Sequence, residues 1–172
     1  MSGEFPAKLK PVFDAKTGEE RIKAWLALDK DDTDNFSWMG ALSPSISLLS
    51  ASLTPAPSAT FAFTVRPEHC NRSGNLHGGA AATLFDSLTT MALALVNDRP
   101  GYWQFLGVSR TLSCSYLRPA PAGEECLVEC EIVQVGRLMC HLRGTLRRKR
   151  DGSVLATCEH HKFNTDPPAS KL

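Results

Sequence analysis

The sequence has no strong excess of charge of either sign. Its 172 residues include 19 lysines and arginines against 18 aspartates and glutamates, which gives a formal net charge of +1 at pH 7. Proteins that bind nucleic acid or an anionic membrane through their overall charge need a basic excess, so neither partner is predicted. The length and the 42% share of hydrophobic residues indicate one globular domain with flanking segments.

Long apolar runs are also absent. In the most apolar stretch the longest run is Met91 to Val96, whereas a membrane-spanning helix needs about 20 apolar residues. The first twenty residues lack the apolar core of a secretory signal and carry Glu4, Asp14, Glu19 and Glu20, which mitochondrial presequences avoid. No membrane span is predicted, and a cytoplasmic location is expected, with a mitochondrial one left open.

Metal-binding patterns are missing as well. None of the six cysteines forms a Cys-x-x-Cys pair, and their spacing does not repeat as in a structural zinc site. Free and mostly buried thiols are expected. His160 and His161 are adjacent on a predicted strand and point to opposite faces, so they are not expected to chelate a metal together.

Residue spacing predicts helices at two places and strands at six. Apolar residues cover nearly every side of a helix over residues 76–96, and such a helix belongs in the centre of a fold. A short amphipathic helix is predicted over residues 19–29. Period-two alternation predicts strands over residues 45–54, 59–65, 108–117, 125–135, 138–148 and 153–163.

The predicted fold class is α+β, with one antiparallel sheet wrapped around one long central helix. The loop over residues 97–107 contains Tyr102, Trp103 and Phe105, so it either covers a pocket or packs at a subunit contact. An N-terminal extension with the short helix, a single domain and a C-terminal tail are predicted over residues 1–44, 45–165 and 166–172.

One carboxylate stands alone in the central helix. Between Ser73 and Asn97 the only formal charge is Asp86. Its interior position excludes a capping role, and the apolar surroundings predict burial, which costs an unpaired carboxylate several kcal/mol. A functional carboxylate explains this position, while an exposed helix face is the structural alternative.

The entrance to this helix reads His77-Gly78-Gly79. Each glycine costs about 1 kcal/mol of helix propensity relative to alanine. That cost is explained if a ligand must approach the free N–H groups of the first turn, where the helix dipole favours a developing oxyanion. A simple loop-to-helix transition explains so short a motif equally well.

His77 and Asp86 are nine residues apart. At about 100° per residue they lie on opposite sides of the helix, roughly 13 Å apart along its axis. One chain does not easily bring both to one reacting atom, whereas two antiparallel helices of a dimer can. The spacing therefore predicts a site at a subunit interface.

The block N-x-x-G-x-L-H-G-G-x-x-A-T-L-x-D, from Asn71 to Asp86, resembles the signature of the hotdog-fold acyl-CoA thioesterases. It is most similar to the phenylacetate-degradation type and to the small thioesterase-superfamily members of animals. The similarity continues through Gly107-Val108-Ser109 and through residues 116–120, and covers about residues 45–165. It implies a single hotdog fold, a homodimer usually paired into a homotetramer, and a role in lipid metabolism.

The resemblance also implies a hydrolase that cleaves acyl-CoA to free acid and CoA. Asp86 matches the general base or nucleophile that acts on the thioester carbon. The N–H of Gly78 and the side chain of Asn71 match the groups that polarise the carbonyl. His77 would hold this loop, and Ser109 would orient water or the aspartate of the other subunit.

Further positions match the family's CoA contacts, and they are Tyr116, Arg118, Pro119, Gly136, Arg137 and Lys162. Arg118 and Arg137 are suited to phosphates, although a solvated surface arginine is an equal alternative. No metal and no separate cofactor are implied, because CoA is part of the substrate. The competing hypothesis is a hotdog module that binds acyl-CoA without cleaving it.

Overall fold

The computed structural model describes residues 7–31 and 38–167. The helices are α1 (Lys10–Asp14), α2 (Gly18–Asp31) and α3 (Gly78–Ala92). The strands are β1 (Ile46–Ser52), β2 (Ser58–Thr64), β3 (Val108–Tyr116), β4 (Glu125–Val135), β5 (Met139–Arg148) and β6 (Val154–Phe163). Short 3-10 turns occur at Ala7–Leu9, Ser43–Ser45, Pro67–His69 and Leu93–Leu95.

The six strands form one antiparallel sheet in the order β1-β2-β4-β5-β6-β3. Strands β4, β5 and β6 follow one another as a meander, but β3 pairs with β6 rather than with β4, which comes next in the chain. Strands β1 and β3 are therefore the two edges. The sheet packs around α3, so the predicted α+β class with one sheet around one long helix is confirmed.

Helix α3 is shorter than predicted. It begins at Gly78 because His77 caps it, and after Ala92 the chain tightens into the 3-10 turn Leu93–Leu95. One face packs tightly on the sheet: a Cβ added at Gly144 of β5 would lie 2.5 Å from Phe85 Cδ1. The segment Gly78–Leu95 has the length and hydropathy of a membrane span, but most of it is buried in the protein, as in a core helix.

The N-terminal extension packs on the same hydrophobic core as the sheet and α3. Ile22 and Leu26 of α2, and Met39 and Leu42 after it, are buried in that core. The extension contains two helices, where the spacing predicted one. Residues 168–172 of the predicted C-terminal tail lie outside the described residues.

Candidate active site

Asp86 lies on the face of α3 that the sheet leaves uncovered. Thr83, Ser87 and Thr90 share this face and are likewise only partly buried. The Asp86 side chain is 48% exposed, so the expectation that its apolar surroundings bury it is wrong. The helix is not covered on every side, because its polar residues follow helical spacing and point away from the sheet.

The Asp86 carboxylate is held by side chains from β3 and β6. Ser109 Oγ donates a hydrogen bond of 2.6 Å to Asp86 Oδ1. His160 Nε2 lies 2.9 Å from Ser109 Oγ and 3.3 Å from Asp86 Oδ1. Lys162 Nζ donates to Ser109 Oγ at 3.3 Å. These four residues, Asp86, Ser109, His160 and Lys162, are called the carboxylate cluster below.

His160 is neutral at physiological pH. Its side chain is fully buried, and its Nδ1 lies 2.7 Å from Thr89 Oγ1. Burial and then the positive charge of Lys162 lower the pKa of His160 to about 4, against the opposing negative charge of Asp86. Burial also lowers the pKa of Lys162, although Asp86 opposes that shift. The ring beside Ser109 and Asp86 is therefore an uncharged imidazole and not an imidazolium.

The cluster corrects part of the sequence interpretation. Ser109, which the resemblance assigned to water or to the aspartate of the other subunit, contacts Asp86 of its own chain, because Ser109 on β3 pairs with Lys162 on β6 beside α3. Lys162, which matched a CoA contact, is only 3% exposed and directs its ammonium group at Ser109. His160 was missed as a site residue, although its spacing of two from Lys162 puts both on one face of a strand.

The helix entrance is shaped by local hydrogen bonds. His77 Nδ1 accepts from the Gly79 N–H at 2.9 Å, which caps the first turn. A Cβ added at Gly79 would lie 3.0 Å from that ring nitrogen, so the cap accounts for this glycine. At Gly78 an added Cβ would meet only the Tyr116 ring, at an ordinary 3.5 Å. The fold alone therefore does not require glycine at Gly78.

Two donors at this entrance are unused within the described residues. The Gly78 N–H donates no hydrogen bond there, and the Gly78 carbonyl accepts one from Tyr116 Oη at 3.0 Å. Asn71 accepts from the N–H groups of Ser73 and Asn75 through Oδ1, and its Nδ2 makes no bond to a described residue. Both can donate to a carbonyl oxygen placed between them.

A cavity of about 510 Å³ brings five of the predicted site residues together, namely Asn71, Gly78, Tyr116, Arg118 and Pro119. We call it the entrance cavity. Asp86 lines a different cavity of about 310 Å³, together with Trp38, Thr83, Ser87 and Leu112. A single chain therefore presents the free donors and the carboxylate in separate cavities.

The predicted CoA residues Gly136 and Arg137 form the β4–β5 hairpin, away from the entrance cavity. The Gly136 carbonyl accepts from Trp103 Nε1 at 2.8 Å, and that of Arg137 from Asn164 Nδ2 at 3.1 Å. Trp103 is fully buried, so it neither covers a pocket nor offers a subunit contact. Through Trp103 the loop over residues 97–107 is bonded to this hairpin.

Comparison with known proteins finds thioesterases. A family model described as the thioesterase superfamily matches residues 73–155. Acyl-coenzyme A thioesterase 13 of Mus musculus is 36% identical over 98 residues, which is 57% of this chain and 66% of that protein. The fold superposes on zebrafish thioesterase superfamily member 2 with a TM-score of 0.71 at 26% identity, covering 87% of this chain and 99% of that one.

The mouse thioesterase superfamily member 2 gives a TM-score of 0.68 at 29% identity, over 83% of this chain and 96% of that structure. Over about half of its length the chain is thus similar to members of the thioesterase superfamily, and it has a single hotdog fold. The match to the curated mouse relative spans 66% of its length, slightly under two thirds. All of the N-terminal extension, residues 1–44, lies outside the residues that the family model matches.

Proposed function

We propose that this chain hydrolyses acyl-CoA thioesters to free acid and CoA. The observation that carries the proposal is the half-exposed Asp86 carboxylate, fixed by Ser109 beside the neutral His160. A module that only binds acyl-CoA has no need for an oriented carboxylate with a neutral, buried partner. The name of the mouse relative, an acyl-coenzyme A thioesterase, supports the same substrate.

In the proposed reaction Asp86 acts as general base towards the water that attacks the thioester carbon, or attacks that carbon itself and expels CoA to form a mixed anhydride, which water then hydrolyses to the free acid. The carbonyl oxygen becomes an oxyanion and accepts from the Gly78 N–H and from Asn71 Nδ2, and each such donor is worth roughly 10²–10³ in rate. As general base, Asp86 returns its proton to the departing CoA thiolate, so no metal and no separate cofactor are proposed. His77 keeps the Gly78 N–H in position by capping the helix.

The proposed site is shared between two chains. Asp86 and Gly78 line different cavities of one chain, and two antiparallel copies of α3 would bring one Asp86 to the other copy's entrance. Edge strand β3 supports such a dimer, because its outer side has no partner strand within the described residues and it carries exposed Val108 and Tyr116. Long unpaired edges favour pairing with a second copy. A homotetramer of two such dimers is the wider proposal.

Binding of CoA is proposed for Tyr116, Arg118 and Pro119 at the entrance cavity and for the Gly136–Arg137 hairpin. Arg118 is exposed at the end of β3, where its Nη1 donates to the Val154 carbonyl at 2.7 Å. Its remaining N–H groups are available to phosphates. Lys162 is buried, so we propose that it belongs to the carboxylate cluster and does not bind CoA. A cytoplasmic location is part of the same proposal.

A thiol-release assay tests the proposed function. Short, medium, long and aromatic acyl-CoAs are offered without added metal or nucleotide, and release of free CoA is measured. The expected result is saturable turnover of at least one class. Saturable binding without turnover of any class would contradict hydrolysis and favour the alternative, a non-catalytic acyl-CoA-binding module.

A further inference from the structure

A third cavity flanks the entrance of α3 on the side away from the entrance cavity. It measures about 640 Å³ and reaches Gly79, Ala80 and Thr83 of the helix. The entrance cavity instead reaches Gly78 and Ala81. At about 100° per residue these two sets lie on opposite faces of α3, so the Gly78 N–H stands between two cavities of ligand size.

The outer wall of this third cavity is the N-terminal extension, through Trp38, Ala41 and Leu42. These residues precede the segment that the family model matches. Buried His69 fixes the wall: its Nδ1 accepts from the Arg66 N–H at 3.0 Å, so its Nε2 carries the proton and donates to the Ala41 carbonyl at 2.9 Å. The extension is thus tied to the turn just before the helix entrance.

Trp38 is a large apolar side chain held in an exposed position. Its indole is 83% exposed, and its Nε1 donates to Thr83 Oγ1 at 2.7 Å. Thr83 Oγ1 in turn donates to the Gly79 carbonyl at 2.9 Å. Trp38 and Thr83 line both the third cavity and the cavity of Asp86. The Trp38 side chain therefore borders both cavities.

We infer that the third cavity binds the acyl group of the thioester and that Trp38 sets the acyl length it accepts. The inference rests on the proposed function. Among the described residues that line it, Glu68 is the only carboxylate, lysine or arginine, and Leu42, Ala41 and Ala80 are apolar. The entrance cavity carries Arg118 and asparagine side chains. An acyl-CoA has an apolar acyl chain on one side of the thioester and the polar CoA group on the other. The third cavity matches the acyl chain and the entrance cavity matches CoA, and the two cavities lie on either side of Gly78.

Binding of S-alkyl-CoA thioethers, which the protein cannot hydrolyse, tests the occupant directly. A chain bound against Trp38 moves the indole from water to an apolar environment, so fluorescence should shift to shorter wavelength. Free CoA should not cause the shift, and Trp38→Phe should abolish most of it, because Trp103 is buried in the core and Trp25, which packs against the core, does not line this cavity. Saturable thioether binding with no shift, or with the same shift in Trp38→Phe, would overturn the inference.

Two wall substitutions test the length limit. Trp38→Ala opens the cavity and Ala41→Leu narrows it, so the Kd ratio between a short and a long thioether should change in opposite directions, by about tenfold each. Leu49→Ala, on exposed edge strand β1, is the matched control and should keep the wild-type ratio. If the wild type and the three variants all gave the same Kd ratio, the third cavity would not be the acyl site. These readouts need no turnover, so an inactive protein that passes them overturns hydrolysis alone.

Discussion

The helix entrance and the carboxylate cluster are built in different ways. At the entrance, side-chain hydrogen bonds such as that of Asn71 with Asn75 join residues two to four apart and fix the course of the backbone, while Tyr116 reaches the Gly78 carbonyl from 38 residues away. In the cluster, bonds span 23 residues from Ser109 to Asp86 and 51 from His160 to Ser109, and they fix protonation and side-chain direction. Acyl transfer needs hydrogen-bond donors for the oxyanion and a proton acceptor. The helix entrance supplies the donors, and the carboxylate cluster supplies the acceptor.

The largest effect is expected from removing the proton acceptor. Asp86→Asn keeps an oxygen that can accept from Ser109 but cannot act as a base, so kcat should fall by about 10²–10⁴. Thiol release measures kcat, while thermal unfolding and size-exclusion chromatography should match the wild type. Asp98→Asn, in an exposed loop, is the matched control. If Asp86→Asn kept the wild-type kcat, the helix entrance would support the reaction without the Asp86 carboxylate.

A smaller effect is expected when the binding of CoA is weakened and the chemical step is left unchanged. Replacing both Arg118 and Arg137 by alanine should raise KM about tenfold or more with little loss of kcat, because a phosphate contact is made equally in the ground and transition states. Steady-state kinetics with one acyl-CoA measures both constants. Arg147→Ala, which removes the pair with Glu129 and a hydrogen bond to the Gly152 carbonyl, should leave KM unchanged. A loss confined to kcat would remove both arginines from the CoA site.

The smallest effect concerns stability at acidic pH. In the unfolded chain His160 titrates near 6.5, and in the fold its pKa is about 4. Between these pH values the unfolded state binds more protons, so stability falls as pH falls from about 6.5 to about 4. His160→Gln lacks this contribution, and its Tm should decline less than that of the wild type.

The matched control is His161→Gln, because His161 stacks on the ring of His141 and no pairing joins it to Asp86. Its Tm should follow the wild-type pH dependence. Parallel Tm curves for His160→Gln and the wild type would show that the His160 imidazole is not held neutral by the fold.

Sequence spacing predicted the strands and a central helix that begins near Gly78, because alternation and the glycine pair are local signals. The six strands and the Asn71–Gly79 turn follow from alternation and from glycine positions. The cluster depends on β3 pairing with β6, which skips the next strand in the chain. Alternation shows that His160 and Lys162 share a face, but not that Ser109 and Asp86 lie opposite them. Burial of Asp86 was mispredicted because composition does not reveal which helix face the sheet leaves open.

The shared site is the central claim, and mixed dimers test it directly. Subunits carrying Asp86→Asn and subunits carrying Asn71→Ala receive different affinity tags, and heterodimers are purified through both tags in turn. Each homodimer should be nearly inactive. If Asp86 of one chain serves the entrance of the other, a heterodimer has one site with both defects and one with neither, so it should recover about half of wild-type activity. Heterodimer activity that stays at the level of the two homodimers would contradict a site shared between chains.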